Sequence, residues 1–388
     1  MIYLDYMSTT PVDPRVVDVM HRSLQTDFGN PSSQHAFGFS ARAHVENARS
    51  QVAQLINADP KEIIWTSGAT ESINLALKGA ALFYQRQGKH IITMSTEHKA
   101  TLDTCRYLES IGFEVTYLNP EKNGLLDLNK LNHAIRHDTI LTSILQVNNE
   151  TGVIQDIFSI GKLLREKGVW FHVDAAQSVG KINIDLKNLP VDLMSFTAHK
   201  IYGPKGVGAL FVRRQPRVQF IKQLHGGDQE NGVRSGTLPT HQIVGMGMAA
   251  DIARQTLAAE AQRIAALRDQ FEENMAVLPG ILINGDKKNR VCGCSNFSVD
   301  AVDGQQFIRS LGDIALSQGS ACNAVDPEPS HVLIAMGLSR VRANASFRVS
   351  MGRYTTATEI EMASARIIEA IKKAKGDARH CLHAWYRP

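Results

Sequence analysis

Between Glu62 and Arg213 the chain alternates short apolar runs with amphipathic stretches, and this alternation narrows the possible folds more than any other feature. Strands are predicted at 62–66, 89–94, 114–118 and 139–147, then in runs ending at Asp174 and near Thr197, and again at 207–213. Helices are predicted at 40–57, 73–84, 100–111, 127–136 and 157–167, where apolar residues recur every three or four positions, as in Ala43, Val45, Ala48, Val52, Leu55 and Ile56. Strands joined through helices pair in parallel, which gives an α/β fold with functional loops at the carboxyl ends of the strands. His98, Asn149, Asp174, Gln177 and Lys200 each closely follow a strand-like run.

The stretch Asp192 to Leu210, DLMSFTAHKIYGPKGVGAL, breaks an apolar strand at Ala198-His199-Lys200 and passes at once into a turn set by Gly203, Pro204 and Gly206. A lysine there suits covalent work if its amine is desolvated; it also suits a solvated turn. The run ending in Asp174 lies 26 residues upstream. An acid that partners a pyridinium nitrogen and a lysine that forms a Schiff base are the two protein groups a pyridoxal phosphate (PLP) site requires. Ser67-Gly68-Ala69-Thr70-Glu71, between a strand and a helix, offers free backbone N–H groups as a phosphate seat. A plain helix cap by Thr70 or Ser72 would look much the same.

From about Asp251 the pattern changes. A long amphipathic helix is predicted at 252–278, with Leu257, Ile264, Leu267, Phe271, Met275 and Leu278 on one face. Short strands follow at 294–299, 314–317 and 346–351, and a last helix begins near Thr356. The expected division is a large domain at 12–250 and a smaller α+β domain made of 1–11 and 251–388, with the ending DARHCLHAWYRP loosely ordered. QTDFGNPSSQHAFGF, at 25–39, reads as a long irregular loop.

Forty-two basic against 38 acidic residues leave a formal charge of only +4, too weak and dispersed to argue for nucleic acid or an anionic membrane. No apolar run approaches the length of a membrane span, and the N-terminus lacks the pattern of a signal peptide, so a cytoplasmic location is expected. The odd, scattered cysteines Cys105, Cys292, Cys294, Cys322 and Cys381 argue against a disulfide framework. Cys322 lies in GSACNAVDPEPS, whose small residues and prolines favour an exposed loop carrying a working thiol over a buried one. Cys292 and Cys294 form a lone C-x-C with no companion ligands for zinc, and Cys105 and His172 read as structural.

SGATES (67–72), TEHKA (96–100), QVNNETG (146–152), HVDAAQS (172–178), SFTAHKIYGPKG (195–206), RSGT (234–237) and GSACN (319–323) together closely resemble cysteine desulfurases of the housekeeping iron–sulfur assembly type. The resemblance, running from Tyr3 to about Lys373, implies a fold-type I PLP enzyme with a mostly parallel, seven-stranded type of sheet. Such an enzyme is a homodimer that converts L-cysteine to L-alanine and keeps the sulfur as a persulfide. By that likeness Lys200 binds PLP covalently, Asp174 pairs with the pyridine nitrogen, His98 stacks on the ring, and Asn149 and Gln177 contact the ring oxygen. Ala69, Thr70, Thr197, Ala198 and His199 fall at the phosphate end, joined by Thr237 of the partner subunit. Asn149 and Arg348 would hold the substrate. Cys322 would take the sulfur, and it stands as a candidate [2Fe–2S] ligand shared with a scaffold protein. Iron–sulfur clusters, thiolated tRNA and thiamine stand as alternative sinks for the sulfur, among which the sequence does not choose. Thr197 and Ala198 stand where Ser and Gly are usual, and Asp228 where a third glycine is common. The chain also stops about where the family continues into a scaffold-docking tail, which leaves that contact open. Another aminotransferase or lyase of the same family is the competing reading; such chemistry has no need of Cys322.

Overall fold

The computed structural model describes residues 1–300, 302–318 and 328–384, with 376–384 described by backbone alone. Its strands are β1 (Ile2–Tyr3), β2 (Ile63–Thr66), β3 (His90–Met94), β4 (Glu114–Leu118), β5 (Thr139–Leu145), β6 (Trp170–Asp174), β7 (Leu193–Thr197), β8 (Gly208–Val212), β9 (Ile281–Ile283), β10 (Cys294–Val299), β11 (Ile314–Ala315) and β12 (Ser346–Ser350). Its helices are α1 (Pro14–Thr26), α2 (Ala36–Leu55), α3 (Ala69–Tyr84), α4 (Lys99–Ser110), α5 (Leu128–Ala134), α6 (Ile157–Glu166), α7 (Thr240–Met275), α8 (Gly304–Ser310), α9 (His331–Ala335), α10 (Arg340–Asn344) and α11 (Ala357–Ala384).

Strands β2 to β8 form a seven-stranded sheet in the order β2-β8-β7-β6-β5-β3-β4. All its pairings are parallel except the two made by β8, which is antiparallel to both neighbours. The cause lies in the connection. β7 reaches β8 through a short turn with no crossover helix, so the chain can only double back. Every residue of β2, β3, β5, β7 and β8 is buried, as expected of strands covered on both faces. Ile63, Trp65, Met94, Phe171 and Val173 face α2, α6 and α7, while Ile64, Ile91, Leu141 and Leu210 face α3.

Two histidines inside this sheet are structural. His90 lies between the hydroxyls of Thr139 and Thr116, 2.7 and 2.8 Å away, and His172 between those of Ser143 and Ser195, both at 2.8 Å. Burial pushes His172 down to about 3.

A second core gathers around β10, which pairs antiparallel with β9 and β12. Phe271, Phe297, Phe307 and Phe347 fill it, with ring centroids of successive neighbours 4.5–5.8 Å apart. Tilted aromatic pairs of this kind add about 0.5–1.5 kcal/mol each beyond simple burial. The N-terminus joins this core: β1 pairs in parallel with β11, and Leu4 is fully buried.

Some elements depart from the sequence expectation. The helix predicted at 252–278 starts at Thr240, so the boundary expected at 250/251 falls inside α7. Its first turns carry small residues because α2 passes close by. A methyl group on Gly247 would meet Ala48 Cβ at 2.6 Å, and such a contact face has no large apolar stripe to read. Helix α1 was not anticipated, although Asp13-Pro14 marks its start: Asp13 accepts from the Arg15 N–H at 3.0 Å with Pro14 in the first turn. Residues 377–384, expected to be loosely ordered, continue α11.

The buried His172 makes stability depend on pH. The folded state keeps the ring uncharged, whereas the unfolded chain takes up the proton near 6.5, so this contribution is complete above pH 6.5 and is lost as pH falls toward about 3. Its size is on the order of 5 kcal/mol. A His172→Gln variant should therefore show a shallower loss of stability between pH 6.5 and 4 than the parent, measured by urea denaturation at each pH.

Candidate active site

Asp174 is the last residue of β6 and is 1% exposed, with Oδ1 accepting the Ala176 N–H at 2.9 Å. Burial raises its pKa, and His98, when its ring is protonated, and the Lys200 charge pull it back. His98 opens α4, with Nδ1 accepting the Ala100 N–H at 3.1 Å. The neutral ring therefore carries its hydrogen on Nε2. Burial lowers the His98 pKa and keeps that neutral form.

Lys200 closes the short helical turn Ala198–Lys200 after β7, and its Nζ donates to the carbonyls of Met7 at 2.5 Å and Ser8 at 2.6 Å. Gln177 donates to the same Met7 carbonyl at 2.7 Å and accepts from Lys181 Nζ at 2.6 Å. Burial pulls the Lys181 amine down to about 8. Arg348, on β12 and buried, reaches the same segment. Its Nη1 donates to the Asn149 carbonyl at 2.6 Å, and its Nη2 to Asp5 Oδ1 at 2.7 Å and Ser8 Oγ at 2.7 Å. Residues 5–8 thus hold both cations, a role the sequence reading missed. The available signal was the abrupt change from apolar Ile2–Leu4 to polar Asp5, Ser8, Thr9 and Thr10.

At the other end, Gly68 precedes α3 and no side chain caps the helix, which removes the plain-cap alternative: Ser72 Oγ bonds instead to the Gly68 carbonyl and Thr66 Oγ1. The first amides of α3 are therefore uncapped beside half-buried Ala69 and exposed Thr70. Gly208 is required here, since a methyl group on it would lie 2.6 Å from Gly68 Cα. Thr197 Oγ1 borders the same turn and donates to the Val207 carbonyl at 3.3 Å. His199 bonds Thr9 Oγ1 at 3.1 Å, and burial pushes its pKa down to about 4. The Ala198 methyl is accommodated because residue 203 is glycine: a Cβ there would approach it to 2.8 Å. Glu71 accepts from Ser67 N–H at 2.8 Å and from Arg234 Nε at 2.7 Å, tying the stretch that carries exposed Thr237 to this turn.

PLP fits these residues. A buried carboxylate at Asp174 suits a cationic ring nitrogen, the uncapped amides of α3 suit a phosphate, and Asn149 Oδ1 is buried without a hydrogen-bond partner among the described residues. The family model described as Aminotransferase class-V matches residues 2–362. The chain belongs to this family. Within it, the chain is 57% identical over 375 residues to "Cysteine desulfurase IscS" of Methylococcus capsulatus, covering 96% of this chain and 93% of that one. The protein of the same name from Colwellia psychrerythraea is 56% identical over 387 residues, covering 99% and 95%. Among solved structures, a "NIFS-LIKE PROTEIN" superposes with a TM-score of 0.90 at 36% identity, covering 96% of this chain and 99% of that one. "SspA in complex with cysteine" gives 0.82 at 39% identity, covering 92% and 100%.

Cys322 lies outside the described residues. The thiols that are described make poor nucleophiles: burial pushes Cys105 up to about 12, Cys294 up to about 11, and Cys292 upward as well. Among the described residues no group of three or more His, Cys, Asp or Glu could hold a metal ion, and no helix is long and apolar enough to cross a membrane.

Glu97, the neighbour of His98, was also missed. It is fully buried, its Oε1 accepts the Leu145 N–H at 2.8 Å, and burial raises its pKa well above the usual carboxylate range. Leu145 pairs with Asp174 in the sheet, so this bond ties the His98 loop to the strand end beside Asp174. Glu97→Gln keeps the acceptor and should fold normally. Glu97→Ala leaves a buried N–H unpaired and should lose about 1–3 kcal/mol in urea denaturation.

Proposed function

We propose that the chain is a PLP-dependent cysteine desulfurase that acts as a homodimer in the cytoplasm, with a large unit at 12–250 and a smaller one made of 1–11 and 251–388. The observation that carries this reading is the convergence of Lys200, Gln177 and Arg348 on residues 5–8, beside His98 and Asp174, in a chain 57% identical to a named desulfurase. PLP, when bound, supplies an acceptor for the electron pair released at the substrate's α-carbon. Asp174, from its buried position, would pair with the ring nitrogen and favour its protonated form. Lys200 carries the α-proton on and off, and its amine is steered by two carbonyls when not otherwise engaged. His98 exchanges the thiol proton through Nε2, because Nδ1 is committed to the Ala100 amide.

Arg348 receives the substrate carboxylate in a planar fork that a lysine could not reproduce. Asn149 and Gln177 would hold the ring oxygen of PLP, and Ala69, Thr70, Thr197, Ala198 and His199 its phosphate, together with Thr237 of a second copy. The sulfur passes to Cys322: L-cysteine and the Cys322 thiol become L-alanine and a Cys322 persulfide, with no external oxidant or reductant. Sulfur acceptors then collect it, an iron–sulfur scaffold protein among them, and Cys322 serves as a shared [2Fe–2S] ligand there. Exposed Phe28, Phe37 and Phe39, with the first two rings 5.0 Å apart, support a second copy as cover for this apolar patch.

Purified PLP-loaded protein given L-cysteine and a thiol reductant should release sulfide and alanine in equal amounts. Cys322→Ala should keep the visible absorption of bound PLP but lose sulfide release, and undiminished release would remove the persulfide step. Lys200→Ala should lose turnover by at least about 100-fold, as expected when a positioned acid–base group is deleted.

A further inference from the structure

Arg348 is already occupied by a carboxylate. A guanidinium offers a carboxylate two bidentate edges, Nε with Nη2 and Nη1 with Nη2, and both use Nη2. In this structure Nη2, with two hydrogens, faces three acceptors: Asp5 Oδ1 at 2.7 Å, Ser8 Oγ at 2.7 Å and Ser317 Oγ at 3.1 Å. Nε is buried and has no partner among the described residues. A substrate carboxylate that binds across either edge must therefore take Nη2 from an acceptor that already holds it.

Asp5 is the acceptor of matching chemistry. It bridges Ser350 of β12 through the backbone, so its carboxylate is delivered to Arg348 by the sheet. It also accepts the Ser317 hydroxyl at 2.8 Å, which gives it a hydrogen bond to keep when it leaves Nη2. A buried guanidinium with no counter-charge is costly, which explains why a substrate-free site would hold a carboxylate of its own. We propose that Asp5 is a resident stand-in for the substrate carboxylate, keeping Arg348 aligned in the empty site and yielding Nη2 when L-cysteine arrives. This rests on the reading of Arg348 as the carboxylate site.

Replacing Asp5 with a neutral isostere removes the competitor. Asp5→Asn holoenzyme should show a KM for L-cysteine lowered roughly three- to tenfold, with kcat changing far less. Its thermal midpoint should fall without ligand and rise more steeply than the parent's on addition of L-alanine, because the bound carboxylate then supplies the missing charge. An Asp5→Asn KM that is unchanged or raised overturns the proposal. Should the variant not fold, the parent holoenzyme crystallised with L-alanine gives the answer: Asp5 Oδ1 must have moved out of hydrogen-bonding range of Nη2, and an Asp5 still in place overturns the idea. Arg348→Ala separates the two layers of the argument. A KM unaffected by Arg348→Ala removes the carboxylate site itself, while a raised KM with no tightening in Asp5→Asn removes only the role of Asp5.

Discussion

The contact on which the site depends is made by four residues near the N-terminus. Asp5 to Ser8 present two carbonyls to Lys200 and a carboxylate and a hydroxyl to Arg348. Lys200 comes from the end of β7 and Arg348 from β12, which lie in different sheets. Neither sheet alone could position both cations. Segment 5–8 can, because β1 and Leu4 anchor it in the second core while the Thr10 hydroxyl accepts the Tyr202 N–H on the far side.

Around that contact the parallel sheet supplies direction. β3, β5, β6 and β7 run the same way, so Asp174 at the end of β6 and His98, Asn149 and Lys200 just past the ends of the others emerge on one rim. Burial then shifts the titration of His98 and Asp174. The same low-polarity setting holds the His98 ring neutral and raises Asp174, and the Lys200 charge acts on both.

The sheet and most of the rim were legible in the sequence because both follow from local signals: apolar runs at strand length, and polar residues where those runs stop. The strand predicted at 114–118 matches β4 at both ends, and that at 294–299 matches β10. What escaped depends on contacts between distant stretches. The first half of α7 packs through glycine and alanine, which have too little side chain to leave a periodic trace. Asp5 and Glu97 matter through partners 343 and 48 residues away, and nothing in their immediate neighbours announces those partners.

Helix α7 enters both cores. Ile243, Met246 and Ala250 pack against the seven-stranded sheet, while Ile264, Leu267, Phe271 and Met275 pack with β10 and β12. One unbroken 36-residue helix serves as a common beam for two separate apolar interiors. Loosening either interior exposes one end of that beam to solvent and weakens the support of the other, so the two halves are mechanically joined well away from the site they share.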